Sequence, residues 1–91
     1  MATIDITKKH TKTREEARAA AEQVANRLKD KLEATWRWSG EEIVFERTGA
    51  KGRIVIGDGV VRVEIDLAFV LRPLKGKVES KAQQYLDEYL K

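Results

Sequence analysis

A chain of 91 residues is expected to form one domain over 1–91 with a thin core, since domains this small bury little more than roughly 60% of their unfolded surface. Eighteen Lys and Arg against 15 Asp and Glu give a net charge of +3, a mild excess that does not by itself call for a polyanionic partner. With no cysteine, disulfides and thiolate metal sites are excluded; the longest uncharged apolar run, Leu67–Leu71, cannot span a bilayer, and no signal-peptide pattern opens the chain, so a cytoplasmic location with no membrane span is expected.

Residues 2–7 alternate, with Ile4 and Ile6 on one side, and predict a short strand followed by a polar connector from Lys8 to Lys12. Thr13-Arg14-Glu15-Glu16 reads as a capping box, in which the Thr13 hydroxyl accepts from the Glu16 N–H and the Glu16 carboxylate accepts from the Thr13 N–H. Ala17, Ala20, Ala21, Val24, Leu28 and Leu32 follow at helical spacing. The alanines are small, so something bulky or close must pack on the first half of this helix.

From residue 35 the period changes from 3.6 to 2. Trp36 and Trp38 share a face and are expected in the core. Ile43 and Phe45 form the inward set of the next strand, and Ile54 and Ile56 that of the one after, with turns at Ser39-Gly40, Gly49-Ala50-Lys51-Gly52 and Asp58-Gly59. The last strand is expected to run on to Leu71, with Val61, Val63, Ile65, Leu67, Phe69 and Leu71 inward and Arg62, Glu64, Asp66, Ala68 and Val70 outward. Pro73 is suited to open a second helix, whose stripe is Val78, Ala82, Tyr85, Leu86 and Tyr89. The predicted order is β-α-β-β-β-β-α: a two-layer α+β fold, an antiparallel β-meander sheet with both helices on its apolar face.

Catalytic chemistry is poorly supplied. There is one histidine, His10, and there are two serines, Ser39 and Ser80, neither in a Gly-x-Ser-x-Gly elbow. The adjacent acidic pairs Glu15-Glu16, Glu41-Glu42 and Asp87-Glu88 do not face each other on a helix or strand. The glycine pairs 49/52 and 57/59 match no phosphate-binding loop. No catalytic residue, cofactor or metal ligand is therefore assigned, and a non-enzyme is expected.

Two surfaces are the candidates instead. Val44, Val55 and Val70, flanked by the aliphatic stems of Arg53 and Arg62, would interrupt the charges on the outer sheet face and meet a second copy of the chain or another apolar surface. Lys8, Lys9, His10, Lys12 and Arg14 form a basic patch, with a shorter run at Lys75 and Lys77.

Five segments together resemble a known family: the opening strand with His10, Thr13-Arg14-Glu15-Glu16-Ala17, Trp36-Arg37-Trp38-Ser39-Gly40, Gly49-Ala50-Lys51-Gly52 and the closing block Leu67 to Glu79. Nearly end to end, the chain resembles the putative polyhydroxyalkanoic acid system proteins, small bacterial proteins associated with polyhydroxyalkanoate storage granules. It departs from them at Lys12, where they commonly carry a small apolar residue, and at Ala68, where they often carry glycine. The resemblance implies a connection with polymer storage and a granule-associated location, with the granule or its coat proteins as partners; it implies no catalytic residue. The resulting expectation is a non-enzymatic accessory protein acting by protein–protein or granule-surface contact, with a homodimer as a further expected state. A second reading, of another class, is a carrier of a small apolar ligand with its pocket between the sheet and the C-terminal helix. The third is a weak nucleic-acid binder.

Overall fold

The computed structural model describes residues 3–90. Its elements are β1 (Ile4–Lys9), α1 (Arg14–Leu32), β2 (Thr35–Ser39), β3 (Glu42–Arg47), β4 (Ala50–Gly57), β5 (Val60–Leu67), a 3-10 segment (Phe69–Leu74) and α2 (Lys75–Tyr89). This is the α+β order expected from the sequence; of the alternating residues 2–7, Ala2 lies outside the described residues.

Strands β2 to β5 form an antiparallel meander, and β1 pairs with the free side of β5, giving the sheet order β1-β5-β4-β3-β2. The register puts one apolar residue behind another: Ile6 stands opposite Val63, Val63 opposite Ile54, and Ile54 opposite Ile43. Because side chains alternate along a strand, this register sends every such residue to the same face, where all four are buried. Helix α1 covers that face over β2, β3 and β4, while α2 lies beside α1 and covers β1. Ala17, Ala20, Ala21 and Ala25 are buried beneath α1. Their small side chains let the helix lie close to sheet and partner helix, while Tyr85 and Phe45 are the bulkiest fully buried groups.

The helix ends are specified locally. Both halves of the capping box are present at Thr13 and Glu16. At the other end Glu33 turns left-handed at φ 53°, and the Arg47 guanidinium donates to the Leu32 carbonyl at 2.8 Å, satisfying a carbonyl that the helix leaves open.

Three expectations are corrected. The connector from Lys8 begins later than expected, because β5 offers partners at Val61 and Val60 and β1 continues through Lys8 and Lys9 to meet them. Trp36 and Trp38 are half-buried at the margin of the core. They lie on edge strand β2, and their indole N–H groups reach out to Asn26 Oδ1 (3.1 Å) and Glu22 Oε2 (2.6 Å) on α1, which a fully apolar site would not provide.

The third correction concerns the end of β5. The strand stops at Leu67, opposite Ala50, the first residue of β4. Beyond that point the β4 side offers no further strand, because the chain turns at Gly49. Leu67 N–H donates to Thr3 Oγ1 (3.1 Å) and Ala68 N–H to the Gly49 carbonyl (2.8 Å), after which the chain bends into the 3-10 segment, closed by Leu71 N–H donating to the Ala68 carbonyl (2.8 Å). Phe69 is therefore 90% exposed, not core, and Val70 lies off the sheet. Pro73 falls inside the 3-10 segment, and α2 begins two residues after it. Ala68 sits at φ −63°, ψ 159°, where any residue is comfortable, so alanine in place of glycine carries no backbone penalty there.

The contrast between the two phenylalanines is directly measurable. Phe45→Ala is expected to cost about 3–5 kcal/mol of unfolding free energy, and Phe69→Ala to stay within about 0.5 kcal/mol of the parent, both read from urea denaturation.

Candidate functional site: an exposed apolar bend with a basic rim

The outer sheet face is a lattice of paired charges. Arg62 donates two hydrogen bonds to Asp5, at 2.9 and 2.6 Å, and lies 3.4 Å from Glu64. Glu64 accepts in turn from Arg53, which also approaches Glu42 at 3.5 Å. The series Asp5, Arg62, Glu64, Arg53, Glu42 thus crosses β1, β5, β4 and β3 with alternating sign. Val44 and Val55 lie within this lattice, opposite Arg53 and Arg62 respectively, and are half-buried by their neighbours. Val70 is absent from it, so the three valines expected to share a surface do not.

The basic patch is likewise dispersed. Lys8 pairs with Asp87 of α2 at 2.9 Å. Arg14 bridges Asp58 (2.7 Å), Glu41 (3.3 Å) and the Ile56 carbonyl (3.3 Å), tying the start of α1 to two hairpin turns. His10 Nδ1 accepts from the Lys12 N–H at 3.0 Å, which places the proton of a neutral ring on Nε2, and that atom is buried without a partner. Lys9 is exposed and Lys12 half-buried. Of these five residues, Lys8 and Arg14 fasten elements together at one end of the domain.

The opposite end has a different character. Phe69, Val70 and Leu74 are 90%, 76% and 41% exposed, and they are the large hydrophobic side chains that stand out from the surface among the described residues. All three come from one six-residue segment. The bend is held by Leu71, which packs against the core and against Gly49. Gly49 has φ +88°, and a Cβ there would lie 3.0 Å from Leu71 Cδ1, so both conformation and space call for glycine at this turn.

Leu74 and Val78 also line a groove of about 80 Å³, together with Lys31 of α1 and Lys77 and Lys81 of α2. Helix α2 opens here with neither a side-chain cap nor an acidic residue in its first turn. Lys75 and Lys77 instead sit at the end of the helix where cations are disfavoured, and Lys75 finds relief in Glu79 at 3.6 Å. Residues 69–81 hold four cations and one anion, which leaves 14 of each sign in the remainder of the chain. The segment thus carries a net charge of +3; residues 8–14 also hold four cations, but there Lys8 and Arg14 are paired with Asp87, Asp58 and Glu41.

Sequence reasoning found Val70, Lys75 and Lys77 but assigned Val70 to the wrong surface, and it placed Phe69 in the core. The available signal was the length of β4: a strand starting at Ala50 cannot pair with a partner that runs past Leu67.

Among the described residues no three His, Asp or Glu side chains converge as metal ligands, and no helix is long and apolar enough to cross a membrane. What the fold and this end of the molecule define is a small α+β domain with an exposed apolar bend and a basic rim. The chain belongs to the putative polyhydroxyalkanoic acid system protein family, whose model matches residues 4–90. No curated protein and no solved structure shows significant similarity to it.

The surface pairs set the acid response. Hydrogen bonding from Arg62 holds the Asp5 carboxyl below its ordinary 3.8. Lys8, and then Gln83, do the same for Asp87, and the Thr13 backbone N–H lowers Glu16 from 4.5. Folded values below unfolded ones mean that this stabilisation is present above the ordinary carboxylate range and is lost as pH falls through the folded values. The urea midpoint is expected to fall below about pH 4. Asp5→Asn should start lower at neutral pH and fall less, the two curves converging at the acid end of a pH series of denaturation curves.

Proposed function

We propose that this chain is a non-enzymatic accessory protein of polyhydroxyalkanoate storage, acting by contact with the granule surface or its coat, and that the Phe69–Leu74 bend makes the contact. The observation that carries the reading is the grouping of three exposed large hydrophobic side chains in a single short segment. Isolated exposed hydrophobic residues are ordinary, but a contiguous projecting group marks an interaction surface. The family supplies the storage context, and a polyester granule supplies an apolar interface of the right kind.

The non-enzymatic part of the reading draws support from composition, with one histidine and no cysteine to build a nucleophilic centre. The carrier alternative gains no comparable support. The space between the sheet and α2 is filled by Val78, Ala82, Tyr85 and Leu86, all buried, and the groove beside Leu74 is far below the roughly 300–1,000 Å³ of ordinary ligand pockets.

Co-sedimentation with isolated granules tests the contact. The parent chain is expected in the granule pellet, and the Phe69→Glu/Val70→Glu variant in the supernatant. Val44→Thr/Val55→Thr, on the outer sheet face, should pellet like the parent. Loss with the valine variant and retention with the bend variant would assign the contact to the sheet instead.

A further inference from the structure

We propose that the bend and its lysine rim together form a docking surface for an anionic phospholipid layer, an inference that rests on the contact reading above for its choice of surface. Charge complementarity is the first reason. Residues 69–81 carry four cations against the single carboxylate of Glu79, so this segment is cationic. A juxtamembrane cluster of this kind is drawn to anionic headgroups within about a Debye length of the lipid surface.

Shape is the second reason. Phe69 and Val70 project almost fully into solvent instead of lining a cleft. Protruding apolar groups suit a fluid layer that yields to them, whereas a folded protein partner would have to supply matching cavities. Nearby, Leu74 and Val78 line one groove together with Lys31, Lys77 and Lys81. Apolar and cationic side chains in one groove suit the boundary of a lipid layer, where acyl chain and phosphate meet.

The third reason is the identity of the cations. The groove rim is made of lysines, whose flexible stems bury along apolar surface while the ammonium group stays with phosphate. Binding an acidic protein helix would favour the planar, two-pronged geometry of arginine. Arginine is abundant elsewhere in the chain, where Arg53 and Arg62 hold carboxylates on the sheet. At this end only Arg72 is drawn from residues 69–81, beside three lysines.

Flotation of the full chain with lipid vesicles tests the inference. Vesicles of equal phosphatidylglycerol and phosphatidylcholine are expected to carry the parent chain, and pure phosphatidylcholine vesicles to leave it behind. Raised salt should weaken the binding. Lys77→Gln/Lys81→Gln should reduce the affinity about fivefold for each lysine removed, and Phe69→Glu should abolish flotation, with circular-dichroism melting curves unchanged for both. Failure to float with the anionic vesicles, equal flotation with both compositions, or indifference to the lysine substitutions would overturn the lipid inference. If the chain still pellets with granules in that event, contact stands and its partner is the polymer or a coat protein. Flotation with anionic vesicles and no pelleting with granules would uphold the lipid surface and reject the granule reading.

Discussion

The structure depends on the ladder around β5 and on where that ladder ends. β5 is hydrogen-bonded to β1 on one side and β4 on the other, so it joins the meander to the N-terminal strand. Its partners fix its length. Because the chain turns at Gly49 into β4, that side offers a strand running past Leu67 nothing beyond the Gly49 carbonyl, which the Ala68 N–H takes. The 3-10 segment resolves this by bonding Leu71 N–H to the Ala68 carbonyl, and Leu71 secures it against the core. The exposure of Phe69, Val70 and Leu74 is a consequence of that termination.

Charge follows the same division. Across the sheet, acids and bases alternate closely enough that each arginine finds a carboxylate, and such a face is well solvated without attracting a partner of either sign. At the end around His10, cations are used to hold elements together, with Arg14 the clearest case. Around the bend and the start of α2, Arg72, Lys75, Lys77 and Lys81 meet the single carboxylate of Glu79 within their own segment. The coincidence of excess positive charge with uncovered apolar surface is what separates this end from the rest of a small domain.

Much of the fold was legible in the sequence because its elements are locally consistent. Thr13 to Glu16 specify the helix start without reference to the rest of the chain, and the alternation in β3, β4 and β5 fixes which face is buried. What was not legible depended on a neighbour's length. Alternation from Val61 continues without a break through Leu71, and nothing within that segment announces that its partners have run out. The tryptophans were misjudged for a related reason: Trp36 and Trp38 have the right period for a core, but β2 is an edge strand and their N–H groups need the polar side chains of α1. The candidate site suffered most, because Val70 shares the parity of an outward strand residue but not the strand.

Hydrogen–deuterium exchange of the intact chain, with and without isolated granules, addresses the contact surface without altering any residue. With granules present, added protection is expected over residues 68–78 and none over the outer face of β3 and β4. Protection gained on Val44 and Val55 with the bend unchanged, or no change anywhere on the chain, would contradict the assignment of the bend as the surface through which this protein works.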